Sequence, residues 1–194
     1  MIIYSIYRMK DIVGKVKNYV KKECRKPTSC YGFDPFQYHF IPMVKYAEML
    51  ACEFKADKEI VLISAWLHDI GSIMFGRKDH HLTGSRVARE LLTRFDYPSE
   101  RINLIEKCIT NHRSSTASKR VTLEEKIIAE ADALSNFDNI PGIFKAAYIY
   151  ENLSQGEAKV SVRNKLERKY DQLYFEKSKL IIKPKFDAAM LLLS

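Results

Sequence analysis

His68 and Asp69 stand side by side at the end of an apolar run, the first place in the chain where groups able to do chemistry are concentrated. Projected at about 100° per residue, Ile60, Val61, Leu62, Ile63, Ala65, Trp66 and Leu67 leave no polar stripe, the pattern of a helix buried on all sides. Burying an ionised carboxylate alone is so costly that the group either neutralises or acquires a counter-charge, and a metal cation is one such partner. The remaining histidines, His39, His80, His81 and His112, fall on or at the edges of other predicted helices, as does Asp132. Imidazole nitrogens with carboxylate oxygens suit first-row transition ions, and a histidine-rich set argues against magnesium.

The elements that must position these groups read as helices throughout, with strand signals nearly absent. Ile12, Val13, Val16, Tyr19 and Val20 predict a first helix over about 10–23, followed by a loop containing Pro27, Gly32 and Pro35. Pro42 belongs in a first helical turn, which starts the next helix near His39 and carries it through Cys52. Asp57 is the expected cap of the helix ending at the doublet, with Gly71 as its stop. Further helices are expected over about 80–95, from Pro98 to His112 and from Thr122 to Phe137, the last opened by a Thr122/Glu125 capping box. His112 continues the stripe of Ile102, Ile105 and Ile109. Pro141 restarts a shorter helix, and two more are expected over about 160–181 and from Pro184 onward. The expected fold is all-α: one helical domain over residues 1–194, with about eight or nine helices and the motif-bearing core at about 38–137.

Charged residues make up 29% of the 194 positions, and seven Gly and six Pro are few, so disorder is not expected beyond the ends. No segment approaches the roughly 18 apolar residues of a membrane span, and the stretch MIIYSIYRMK is too short for a secretory signal core. Four cysteines without CxxC spacing are read as free thiols, so the expected compartment is the cytoplasm and no membrane partner is expected. The formal charge of +8 is carried by the flanks: residues 1–38 have 8 basic and 3 acidic side chains, and residues 157–194 have 9 and 5. Lysine-rich solvated helix faces account for such flanks. The functional alternative is a rim that draws phosphorylated substrates or nucleic acid toward a central site.

The segments YHFIPMVKYAEMLA, AWLHDIG and IIAEADALSNF, with histidines between them in DHHLTGSRVARELL and CITNHR, resemble the HD-domain superfamily of metal-dependent phosphohydrolases, whose pattern is H…HD…D on an all-α core. The resemblance covers about 38–137. It implies a primary metal site of His39, His68, Asp69 and Asp132, and a second site in which Asp69 bridges to His80 and His112. Periodicity leaves His80 and His81 equivalent, both lying about as far from the face of Gly84, Val87, Ala88, Leu91 and Leu92; the family's H-x-x-x-G spacing favours His80. Likewise Glu130 lies at least as near the stripe of Ile127, Ala131 and Leu134 as Asp132 does, so the choice of Asp132 rests on the family's "AD", with Glu130 as a second candidate.

The implied cofactor is a divalent transition metal (Fe, Mn, Ni, Co or Zn), as two ions. The implied activity is hydrolysis of a nucleotide or other small phosphate ester, a phosphomonoesterase or phosphodiesterase reaction in which a metal acidifies a water and polarises a phosphoryl oxygen. Asp69 and Arg113 are the expected catalytic residues, and Arg77, Lys78 and Arg113 the cations for the phosphoryl oxygens, Arg113 first because it follows a proposed ligand. Ser72 stands where many relatives carry lysine after HDIG, no GYP follows His112 as in cyclic-dinucleotide phosphodiesterases, and no Glu-Asp pair follows the doublet as in alarmone hydrolases. Two rival readings are a di-iron oxygenase on the same scaffold and a non-catalytic module binding nucleic acid through its basic flanks.

Overall fold

The computed structural model describes residues 2–113 and 119–194, with the side chains of 2–10 outside the description. Its centre is helix α3 (Lys58–Leu67), in which every residue from Ile60 to Leu67 is buried. The all-round apolar sequence therefore does what its pattern requires: α1 (Ile2–Arg25), α2 (Ile41–Phe54), α6 (Ser99–Asn111) and α7 (Leu123–Asn136) all pack against α3. Its start is fixed by Asp57, whose carboxylate accepts from the Glu59 and Ile60 amides at 3.1 Å each and is gripped by Arg101 at 2.9 and 3.0 Å. The described residues form helices and connections, with no strand among them and no single helix long and apolar enough to cross a membrane.

The chain does not stop at Gly71. It breaks at His68 and Asp69 and re-enters a short helix, α4 (Ile70–Phe75), that contains the glycine. What requires glycine there is contact: a Cβ on Gly71 would lie 2.3 Å from the His80 carbonyl oxygen and 2.5 Å from the Gly84 amide. Gly71 and Gly84 thus let α5 (His80–Arg94) press against the doublet, and the H-x-x-x-G spacing is the means by which His80 reaches Asp69.

His39 lies just before α2, in a wide π turn over Phe36–Phe40 that starts three residues earlier than expected. Burial of Phe36 and Phe40, with Phe36 stacked on Trp66, holds that turn on α3. Pro98 precedes α6 rather than opening it, and the Thr122/Glu125 capping box forms as its sequence predicts. Beyond α7 come α8 (Ile140–Lys145), a second π turn over Ala146–Tyr150, α9 (Gln155–Asp171) and α10 (Glu176–Leu192).

The last two helices differ from expectation in their limits. α9 begins at a second capping box, Ser154 with Glu157, and the break falls at 172–175 because the Glu130 carboxylate accepts from the Tyr174 and Phe175 amides at 2.9 and 3.0 Å. Pro184 then lies inside α10, where its missing N–H leaves the Leu180 carbonyl without a helical donor; Leu180 is 75% exposed, so water can serve instead.

Candidate metal centre

Four imidazoles converge on Asp69 from four different elements. Asp69 Oδ2 lies 3.5 Å from His39 Nε2 and 3.6 Å from His68 Nε2, while Oδ1 lies 3.2 Å from His80 Nε2 and 3.6 Å from His112 Nε2. Each oxygen therefore faces one histidine pair. Asp132 stands on the first side, its Oδ1 3.7 Å from His39 Nε2 and 4.0 Å from His68 Nε2.

The backbone dictates which nitrogen points inward. His68, His80 and His112 each place Nδ1 on the carbonyl three residues earlier: Ala65 at 2.9 Å, Arg77 at 2.8 Å and Ile109 at 2.6 Å. A carbonyl can only accept, so Nδ1 carries the proton, and a neutral ring then presents a bare Nε2 lone pair to the centre. His39 obeys the same logic through a side chain: Ser135 Oγ gives its proton to the Asp132 carbonyl at 2.9 Å, and so accepts from His39 Nδ1 at 3.1 Å.

Facing Nε2 atoms lie only 3.0 Å apart in His39 and His68 and 3.3 Å apart in His80 and His112. Lone pairs opposed at that range repel unless a cation lies among them. Asp69 Oδ1 adds a second sign, being buried with no hydrogen-bond donor among the described residues. Burial pushes the His68 imidazole down to about 4, which keeps it neutral and able to ligate near pH 7. Burial would raise the Asp69 carboxyl, but the imidazoles of His68, His112, His39 and His80 outweigh it and hold the group well below its ordinary value. The donor sets His39, His68, Asp69 and Asp69, His80, His112 both fit a divalent transition ion.

The cluster forms part of the wall of a cavity of about 870 Å³. The rest of its lining is chemically divided. Tyr31, Tyr38, Pro141, Ile143 and Tyr150 give an aromatic and apolar part, whereas Arg77, Arg113, Lys145, Lys165, Arg168 and Lys169 bring positive charge.

The profile of the HD domain family matches residues 36–136, just over half of the chain and all of the elements that carry these histidines and aspartates. The chain belongs to the HD domain family. Among solved structures, this HD domain resembles the Lin1889 protein of Listeria innocua (TM-score 0.71, 19% identity, covering 95% of this chain and 93% of that one). It is similarly close to Bacillus subtilis YpgQ in complex with ADP (TM-score 0.70, 18% identity, covering 95% and 92%). At those identities the likeness is one of fold. A curated relative, the tRNA (cytidine(56)-2'-O)-methyltransferase of Picrophilus torridus, is 27% identical over 135 residues, 64% of this chain but 38% of that protein. A Clostridium beijerinckii protein is 29% identical over 101 residues, 50% of this chain and 62% of its own. The chain thus spans less than two thirds of the length of either curated relative.

Within the HD domain, the residues between which the sequence left a choice lie in different places. His80 faces Asp69, while His81 turns away to Arg113, its Nδ1 3.2 Å from the guanidinium. Glu130 caps the turn into α10, its carboxylate on the Tyr174 and Phe175 amides, whereas Asp132 stands beside His39 and His68. Arg113 and Arg77 line the cavity, Arg77 in an ion pair with Glu151 at 2.7 Å. Lys78 is exposed and stands outside the cavity lining, because the loop before α5 turns it to solvent.

Two contributions were not read from the sequence. Lys165, Arg168 and Lys169 project from α9 into the cavity lining, with Lys169 Nζ 2.6 Å from Asp132 Oδ2. Their i, i+3, i+4 spacing marks them as one helix face, a signal present in the sequence but absorbed into the reading of a solvated basic flank. Arg120, 6% exposed, donates to the carbonyls of Asn111, His112 and Arg113 at 2.7, 2.8 and 2.7 Å. It closes the C-terminal end of α6 at the candidate ligand His112 and at Arg113 beside it, and nothing in its local sequence marks that reach.

Proposed function

We propose that this HD domain is a divalent-metal-dependent phosphohydrolase acting on a nucleotide or another small phosphate ester, as a phosphomonoesterase or phosphodiesterase. The observation that carries the reading is the junction of a histidine–carboxylate cluster, shared through Asp69, with a cavity whose remaining charged lining is mainly cationic. An anionic substrate is what such a lining recognises. The ADP held by the fold relative YpgQ is a ligand of the same chemical class and supports a nucleotide.

In this reading His39, His68, Asp69 and Asp132 hold one ion and Asp69, His80 and His112 a second, drawn from Fe, Mn, Ni, Co and Zn. Bound ions supply Lewis acidity toward phosphoryl oxygens and a water acidic enough to attack near neutral pH. The protein does the rest. The backbone carbonyls behind His68, His80 and His112 hold the rings in one tautomer, and Asp69 keeps the two histidine pairs in register. Arg113 neutralises charge on nonbridging oxygens, with Arg77 at the rim, while the aromatic part of the cavity receives the body of the ester.

The test is metal analysis of the purified protein followed by a panel of nucleotides and aryl and alkyl phosphates. Phosphate release that requires metal and disappears in Asp69→Ala is expected. Oxygen consumption without phosphate release would return the chain to the di-iron oxygenase reading, and salt-sensitive nucleic-acid binding that survives loss of the histidines would make it a binding module.

A further inference from the structure

Three of the cavity's cations are already matched by carboxylates: Lys169 is paired with Asp132 at 2.6 Å, Lys145 with Asp34 at 2.7 Å and Arg77 with Glu151 at 2.7 Å. Lys165 differs from all three. It is half-buried, lines the same cavity, and has no carboxylate or hydrogen-bond acceptor in contact among the described residues. α9 sets its place, since Lys165 lies one helical turn before Lys169 on the same face, and Lys169 reaches the metal-side carboxylate Asp132. A half-buried ammonium without an anion is an expensive arrangement unless an anion arrives.

The geometry points to Lys165 as the general acid that protonates the leaving oxygen of the phosphate ester, an assignment that rests on the phosphohydrolase reading. Water forms the new P–O bond and releases a proton to solvent. The bond from phosphorus to the ester oxygen breaks, and that oxygen takes the Lys165 Nζ proton. The neutral amine regains a proton from solvent, so that ester and water give alcohol and phosphate with nothing left over.

The charges around the amine favour this role. In the metal-free protein burial, then the positive charges of Lys169 on α9 and Arg77 on the loop before α5, bring the ammonium down to about 8, with Asp132 on α7 and Asp69 at the α3–α4 break opposing them in part. An ordinary lysine at about 10.4 is a reluctant acid at neutral pH, whereas a group near the working pH both holds and yields its proton.

The test compares metal-loaded wild type, Lys165→Met and Lys165→Arg on phosphate monoesters and phosphodiesters running from 4-nitrophenyl to simple alkyl leaving groups. Nitrophenolate departs without a proton; an alkoxide does not. Lys165→Met should lose roughly 100-fold or more in kcat on alkyl esters, and only a small part of that on the nitrophenyl ester, with KM changed alike for both. Arginine keeps the charge but holds its proton, so Lys165→Arg should fail on alkyl esters as the methionine variant does. Independently of turnover, metal-free protein carrying ¹³C-lysine should show one ammonium titrating near 8 by NMR that disappears in Lys165→Met. Equal losses across the ester series, rescue by arginine, or no such titration would overturn the assignment. Wild-type protein that hydrolyses none of the esters would instead overturn the phosphohydrolase reading and this role with it.

Discussion

Each oxygen of Asp69 faces a different pair of imidazoles, so truncating this one side chain should disable both halves of the cluster. Asp69→Ala is expected to lose bound metal and to fall in activity by more than the roughly 10- to 100-fold typical of an outer-shell partner. Helicity measured by circular dichroism should persist, because the substitution also removes a buried charge. A variant with wild-type metal content and turnover would contradict the bridging role. The same residues set an acid limit on the metal-free protein. His68 is held at about 4 against an ordinary 6.5, so the unfolded chain binds more protons between those values. Stability from this group is complete above about 6.5 and is lost as pH falls toward 4, on the order of 3 kcal/mol. Asp69 and Asp132 are also held below their ordinary values, so each adds a loss in the same direction below the normal carboxylate range. Thermal midpoints of metal-free protein should therefore drop steadily from pH 7 to pH 4, and a flat profile would contradict the buried neutral His68.

Two element-level contacts bring the second histidine pair into place. Gly71→Ala would drive a Cβ against the His80 carbonyl and the Gly84 amide, so α4 and α5 must separate, at about 1–3 kcal/mol of stability. Metal retention should fall with it. Arg120→Met strips donors from three carbonyls at the end of α6 and should weaken the His80/His112 side while the His39/His68 side persists; equal retention at both would contradict the role of that clamp. Local signals were legible wherever one element's own residues decide the outcome. The apolar run before His68, the Asp57 cap and the Thr122/Glu125 box all form as read. The pattern failed where a distant partner decides. Glu130 on α7 sets the break near Tyr174, Gly71 answers to α5 rather than to its own helix, and Lys165 acquires meaning only because α9 packs on α7 and α8. The Ser154/Glu157 box is the exception, a local signal that was present and passed over.

At the scale of the whole molecule, the two basic flanks diverge in their reach. Lys165, Arg168 and Lys169 of the C-terminal flank line the cavity, whereas residues 31–38 of the N-terminal flank line it with Tyr31, Asp34, Pro35 and Tyr38 and no cation. For a phosphorylated substrate, kcat/KM should fall as salt rises, since exposed charges are screened beyond roughly 8 Å at physiological ionic strength. Arg168→Gln should flatten that dependence, while Lys17→Gln with Lys22→Gln on α1 should leave it unchanged; the reverse result would place steering on α1. The cluster itself draws on the Phe36–Phe40 turn, the ends of α3 and α6, the start of α5 and the middle of α7, so a metal bound there would join elements that lie far apart in sequence. The most direct test of the account is anomalous scattering at the metal edge on crystals reconstituted with manganese or iron. Two peaks flanking Asp69 are predicted, one of them lost in His112→Ala. A single peak at full occupancy, or a His112→Ala protein that retains both, would contradict a carboxylate-bridged pair.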